Sequence, residues 1–280
     1  MASSKLDICN RAIQKLGGNK LTDLNGTDIY TVAALRVYDD ALASELRANN
    51  WNFAIKRKSL TAPTITITGI TAAEPPVVTY TGTDPTDGDR IYIESVVGMT
   101  EVNGNYYSIG SVNSGANTLE LLDPDDLTDV DGTGFTAYSS GGTGTICPTF
   151  GFNRKFALPS DFVRLIEVDG MSGVTANIGG IGYSNDHSIE GRYIVCNDSG
   201  PLFIRYVYLN TTVTDMDYLF TESLACRMAL EMSTEIKQSD SNYQKLMQDY
   251  SIYIAAAKKS DAVETPGEVV FESDWLIARL

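Results

Sequence analysis

The sequence predicts an α+β chain: a helical frame with a small antiparallel sheet, into which an all-β barrel or sandwich domain is inserted. Three observations predict it. From Thr61 to Cys147 there is no lysine, one arginine (Arg90) and twelve carboxylates, in a chain whose net charge is −15. The same block is rich in Thr, Gly, Val, Ile and Tyr and spaces its apolar residues by alternation, without a helical period. The segments on either side are charge-mixed and repeat apolar residues at intervals of three and four. The expected division is a discontinuous frame of residues 1–60 and 148–265, an acidic insert of 61–147, and an extended C-terminal tail of 266–280.

Within the frame, Leu6, Cys9, Ile13 and Leu16 fall on one helical face over residues 4–16, and Gly17-Gly18 supplies the stop. A longer helix is expected over 28–49, with Val32, Leu35, Tyr38, Leu42 and Leu46 inside and Asp39, Asp40, Glu45 and Arg47 outside. The period then changes to two. Trp51, Phe53 and Ile55 alternate with Asn52, Ala54 and Lys56, which predicts a strand, and Arg57-Lys58 reads as its solvated end.

The insert shows six short alternating runs: 64–70, 77–80, 91–97, 106–112, 118–122 and 134–138. Turn chemistry such as Asn103-Gly104 and Asp131-Gly132 separates them. Such spacing suggests a small sandwich or barrel.

After the insert, residues 156–162 and 163–168 read as strands. Ile189 to Cys196 and Leu202 to Leu209 read as a hairpin across Asn197 to Pro201. Two helices close the frame. One is striped by Phe220, Leu224, Met228, Met232 and Ile236, the other by Tyr243, Leu246, Met247, Tyr250, Ile254 and Ala257. Ser241 and Gln244 are placed as a capping box for the second.

Catalytic chemistry finds little support. The single histidine, His187, lies in a polar Gly/Ser/Asn segment, without the neighbours that a nucleophile–base arrangement needs. Gly179-Gly180-Ile181-Gly182 lacks the spacing and following helix of a phosphate-binding loop. The acidic run from Asp123 to Asp131 invites a calcium reading. Counting back from Gly132, however, puts Leu127 first and Tyr138 twelfth, so an EF-hand loop does not fit. Four cysteines (Cys9, Cys147, Cys196, Cys226) stand far apart with no paired spacing for a metal site. The expectation is no enzyme, no cofactor and no metal. Aromatic residues of the insert (Tyr80, Tyr92, Tyr106, Tyr107, Phe135, Tyr138) leave a carbohydrate platform open as an alternative.

Acidity argues against adhesion to nucleic acid, which needs a basic stripe, but leaves room for a conduit with like-charged walls. No run approaches the ~18 apolar residues of a membrane span, and no signal-peptide pattern opens the chain.

One resemblance organises these pieces. Ile8-Cys9-Asn10 with Ala12-Ile13 and Leu16-Gly17, then Ala33 to Asp39 with Leu42 and Leu46, then Asn50-Trp51-Asn52-Phe53-Ala54, resembles the start of tailed-bacteriophage head-to-tail adaptors of the tail tubular protein A kind. Those adaptors also carry an aromatic strand running into Leu-Pro-x-Asp, matched by Phe156-Ala157-Leu158-Pro159-Ser160-Asp161-Phe162-Val163-Arg164. A short Ile-Glu-Gly strand (Ile189-Glu190-Gly191) and two closing helices follow. The match lies wholly outside the insert, and the order of the motifs carries it. The insert itself departs from the family and is similar to β-barrel modules of other phage tail proteins, which resemble a half-domain of ubiquitin-activating enzymes.

The resemblance implies a structural virion protein at the head–tail junction, assembled in the bacterial host cytoplasm. It would form a homo-oligomeric ring, commonly a dodecamer, between the portal protein and a tail or nozzle protein, and double-stranded DNA would pass through without sequence readout. No membrane is involved. Closing a ring needs heterologous interfaces, and an acidic lumen would keep DNA from sticking. In this setting the tail is expected to dock the portal, with Phe271, Trp275, Leu276 and Ile277 as buried anchors and Arg279 as a charged contact. The competing reading is a tail or baseplate accessory whose insert binds glycan or another virion protein.

Overall fold

The computed structural model describes residues 4–169, 187–236 and 240–264. Helices and strands are both present: four α-helices, two three-stranded sheets and a closed six-stranded barrel among the described residues. Cα proximity separates the described residues into two compact units. One comprises those of Met1–Lys56, Asp161–Ile166 and Tyr206–Leu280; the other comprises those of Arg57–Ser160 and Glu167–Arg205.

The first unit opens with α1 (Lys5–Leu16). Ser4 caps it by accepting from the Asp7 N–H, and Gly17 ends it in the left-handed region at φ 78°. Helix α2 (Ile29–Ala48) starts at Asp28, whose carboxylate accepts from the N–H groups of Tyr30 and Thr31. Its buried face differs from the expected one. Val32 and Leu35 are 40 % and 37 % exposed, while Glu45 is 2 % exposed. The face that packs inward carries Thr31, Ala34, Tyr38, Ala41, Leu42, Glu45 and Leu46. Its alanines let neighbouring helices approach closely, which a reading weighted toward large side chains overlooks.

The expected strand over Trp51 and Phe53 is instead one 3-10 turn, Asn52–Ala54, and the strand β1 runs from Ile55 to Leu60. The turn brings the Trp51 and Phe53 rings onto the same partner. Both meet the edge of Phe220, at 5.0 and 4.9 Å.

The barrel consists of β2 (Thr64–Ile70), β3 (Val77–Gly82), β4 (Arg90–Val97), β5 (Asn105–Asn113), β6 (Thr118–Leu122) and β7 (Ser140–Cys147). Its order is β2-β3-β6-β5-β4-β7, and β7 pairs antiparallel back to β2, so no edge remains. Ile65, Ile67, Val78, Tyr80, Ile91, Ile93, Leu119 and Leu121 point into its core. Five of the six expected strands are present. The sixth is not 134–138 but Ser140–Cys147, whose Ser-Gly-Gly-Thr-Gly start hides it in the sequence.

Beyond the barrel come β8 (Arg154–Ala157), β9 (Phe162–Asp169), β10 (His187–Glu190), β11 (Tyr193–Cys196) and β12 (Leu202–Tyr208). The expected hairpin across 197–201 is not formed. The turn lies inside the first expected strand, where Gly191 takes φ 57° and lets β10 fold onto β11. β8 completes that sheet in the order β10-β11-β8, and β12 lies between β1 and β9 in the other sheet.

Helices α3 (Tyr218–Ile236) and α4 (Asp240–Glu264) follow, and α3 packs on α1, α2 and α4. Because α4 already runs at Asp240, Ser241 lies inside its first turn and not at the cap expected of it. All four cysteines are buried free thiols. No helix among the described residues is long and apolar enough to cross a membrane.

Candidate functional site

Two of the segments that carry the resemblance, Asn50–Ala54 and Asp161–Arg164, meet at the turn Asn50–Phe53. The Trp51 indole N–H donates to the Glu45 carbonyl at 2.9 Å. The Asn52 backbone N–H donates to Asp261 Oδ1 and its side-chain amide to the Asp261 carbonyl, each at 2.8 Å. Asn210 donates to the Phe53 carbonyl at 3.1 Å, and the Arg164 guanidinium donates to Asn50 Oδ1. One turn thereby fastens α2, α4, β9 and the residues after β12.

Asp161, the acid of the Leu-Pro-x-Asp run, ties the strands to this turn. Its carboxylate accepts from Lys56 Nζ at 2.9 Å and from the Tyr206 hydroxyl at 3.0 Å, and its carbonyl accepts from the Leu209 N–H at 2.8 Å. Burial alone would raise its pKa. The two hydrogen bonds and the Lys56 charge outweigh burial and hold the carboxyl below its usual range. Burial, together with the hydrogen bond to Asp161 and its charge, pushes Tyr206 up to about 12.

Behind the turn lies a buried carboxylate. Glu45 accepts from the Tyr250 hydroxyl at 2.6 Å, and Arg227 Nη1 stands 3.8 Å away while its Nε donates to Glu231 at 2.6 Å. Burial first, then the hydrogen bond to Glu45 and its charge, lift the Tyr250 hydroxyl to about 12. A phenol held so firmly protonated makes a poor general base. Most polar groups in this hub hold helices and strands together, while Glu45 Oε2 and Arg164 Nε have no hydrogen-bond partner among the described residues.

The other residues singled out in the sequence lie apart from this hub. His187 is exposed at the start of β10. In the acidic run, Asp123, Asp126 and Asp131 each accept from a backbone N–H two residues on, closing local turns. No cluster of three metal-ligating side chains occurs among the described residues. Of the insert's aromatics, Tyr80 and Tyr107 are buried in the barrel core, and Phe135 and Tyr138 pack against it. Tyr92 and Tyr106 pair at 4.9 Å, with Arg154 over one ring and Arg90 over the other. The Gly179–Gly182 run and the tail residues Phe271, Trp275, Leu276, Ile277 and Arg279 lie outside the described residues.

Two surface concavities stand out among the described residues of the barrel-containing unit. One, of about 500 Å³, is lined by Asp87, Asp89, Phe150, Phe152, Lys155 and Tyr193 among others. Lys155 and Asp89 pair there at 2.7 Å, and Phe150 is 82 % exposed. Sequence reasoning missed it, because Phe150 sits in a connection with no periodicity. The second, of about 340 Å³, is lined by Arg57, Lys58, Ser59, Glu167, Phe203, Ile204 and Arg205. It is a basic spot on a strongly acidic chain.

No protein-family model matches this chain, and no curated protein matches it.

Proposed function

We propose that the chain is a structural virion protein, a head-to-tail adaptor that forms a ring between portal and tail and lets DNA pass. The observation that carries this reading is the joining of two of the resemblance's motifs. Asn50–Phe53 and Asp161–Arg164 are both quoted motif segments, and here the Arg164 guanidinium bonds Asn50 while the Asp161 carboxylate bonds Lys56, just after the turn. Motifs without any chemical role are expected to persist as a unit where they build a shared scaffold. Helix α2 adds support, since Ile29, Val32 and Leu35 lie along one side of it and are exposed in the isolated chain. Such a stripe suits a contact between copies.

The test is mass measurement and negative-stain imaging of the purified protein, alone and mixed with portal protein. Rings capping portals are the expected result. Monomers that leave portals bare would overturn the reading.

A second reading is favoured by the exposed Phe150 beside Asp87 and Asp89: an accessory module that grips glycan through the larger concavity. An aromatic face next to carboxylates suits stacking on a sugar ring while its hydroxyls are bound. Glycan-array binding that is lost in Phe150→Ala would support it, and a blank array would remove it.

A further inference from the structure

The basic concavity spans the sheet β1-β12-β9, and the edge strand β1 supplies Arg57, Lys58 and Ser59 to it. In the order β1-β12-β9, β1 has a single neighbour, so one row of its backbone N–H and C=O groups is unpaired within that sheet. Lys56 to Ser59 are exposed along it. An exposed edge is a template for an added extended segment, with main-chain hydrogen bonds giving affinity and side chains giving selectivity.

The side chains here select for acid. Arg57 and Lys58 take part in no ion pair among the described residues, and Arg205 reaches Glu167 only at 3.6 Å. Phe203 is 43 % exposed beside them, an apolar surface within the cationic rim. Cations along an edge discourage a neutral strand or a second basic one, and favour a strand with carboxylates.

The chain itself contains such a segment. Helix α4 ends at Glu264, and residues 265–280 follow. They read Thr-Pro-Gly-Glu-Val-Val-Phe-Glu-Ser-Asp-Trp-Leu-Ile-Ala-Arg-Leu, with no proline after Pro266. Alternation in an extended chain would set Glu268, Glu272 and Asp274 on one side and Val269, Phe271 and Trp275 on the other. Extended at about 3.3 Å per residue, the segment would reach some 50 Å, enough to cross to a neighbour.

We propose that the edge strand β1, with Arg57, Lys58 and Arg205, docks the acidic segment Glu268–Trp275 of a second copy of this chain. Copy after copy, this head-to-tail contact is heterologous, the kind that closes a ring. The proposal rests on the ring reading above and deepens it by naming an interface. It gives Phe271 and Trp275 a neighbouring copy as their partner in place of the portal.

The experiment uses full-length chains. Two charge reversals are made, R57E/K58E on the edge and E268K/E272K/D274K on the segment, and both are checked for a thermal midpoint near wild type. Each alone is expected to need at least about tenfold more protein to assemble, read by mass photometry, and an equimolar mixture is expected to recover assembly. Assembly of either variant at the wild-type concentration overturns the proposal, and so does a mixture that stays apart. A labelled synthetic peptide of residues 265–280 provides an arm independent of rings. It should bind wild type and lose about tenfold in affinity for R57E/K58E. Peptide that binds portal but not this chain overturns the proposal in favour of portal docking. Rings that form regardless of the reversals leave the ring reading standing without this interface. Peptide binding to a protein that stays monomeric keeps the docking site and removes the ring.

Discussion

Asn52 and Asp261 clasp each other at two points, although 209 residues separate them in sequence. The Asn52 backbone N–H donates to the Asp261 carboxylate, and the Asn52 amide donates to the Asp261 carbonyl. That carbonyl belongs to the last turn of α4, where helical acceptors run out of partners. The clasp therefore caps α4 while fixing the turn that carries Trp51. Asp261→Ala should lower unfolding stability by about 1–3 kcal/mol, by removing the acceptor of a part-buried N–H. Urea denaturation measures it.

The charge at Asp261 has its own consequence. Burial, and then the nearby Glu264 and Asp217, raise its pKa, against the lowering effect of the Asn52 N–H. A raised carboxyl contributes stability below its unfolded pKa and loses that contribution as pH rises through the folded value. Asp261→Asn keeps an acceptor for Asn52 and removes the titration. Its stability relative to wild type should therefore improve as pH rises from 3 to 6, in paired melts; a flat difference would assign the shift no role in stability.

Glu45 should prove sensitive through its partners. Tyr250→Phe removes the hydroxyl that donates at 2.6 Å and leaves the carboxylate with Arg227 at 3.8 Å. A loss of about 1–3 kcal/mol is expected. Glu45→Gln should soften the Tyr250→Phe effect, because a neutral amide tolerates burial better than a carboxylate. Strict additivity in a double-mutant cycle would show that the two side chains do not interact.

How much of this was legible follows from how locally each feature is specified. Helices α1 and α3 announce themselves because their apolar residues repeat at three and four on the buried side. Five barrel strands announce themselves by alternation. Strand β7 does not, because Gly144 is demanded by Ile65 and Ile91, and Gly142 by Val96 and Ile67 packed against it, a requirement that exists only in three dimensions. The turn at Trp51 was hidden for a related reason. Its alternating pattern is that of a strand, and the bonds from Asn52 to a residue far along the chain override it. Glu45 reads as a solvated acid until Tyr250 and Arg227 stand beside it. The basic concavity was half legible: Arg57-Lys58 is visible in sequence, but Phe203 and Arg205 arrive from β12.

Asp161 supplies the opposite pH signature to Asp261. Its pKa is lowered overall, since burial is outweighed by Lys56 and Tyr206. Its contribution is present above the unfolded carboxyl value and is lost as pH falls through the lower folded value. Asp161→Asn should therefore flatten part of the acid limb of the stability curve below pH 4. The lysine is half exposed, so the effect is expected to weaken in high salt. An acid limb unchanged in Asp161→Asn would count against the pair.

The four thiols should be silent in the folded protein. All are buried, and burial pushes Cys9 up to about 11 and raises Cys147, Cys196 and Cys226 as well. The thiolate is the reactive species, so both access and ionisation oppose modification. A colorimetric thiol assay at pH 8 should find none in the native state and all four in denaturant. A reducing agent should leave the melting temperature unchanged. Fast native labelling of one thiol would reveal local opening at that element.

Gly144 tests whether closure of the barrel depends on the absence of a side chain. A Cβ built at this position would stand 2.4 Å from Ile91 Cδ1 and 2.9 Å from Ile65 Cγ1, closer than packed carbons tolerate. Its strand pairs with β2 on one side and β4 on the other, so the backbone has little room to retreat. Gly144→Ala should destabilise the barrel by about 1–3 kcal/mol through overpacking. Ile91→Val removes the δ-carbon that meets the new methyl, at a separate cost of about 0.5–1.5 kcal/mol when made alone. Combined with Gly144→Ala, it should cost less than the sum of the two, because the tightest of the contacts is then relieved. The cycle is read by denaturant unfolding followed through the barrel tyrosines. Full additivity would mean that β7 shifts away from Ile91, and that its glycines serve the backbone turns at Gly141 and Gly142 (φ 73° and 108°) more than the packing of the core.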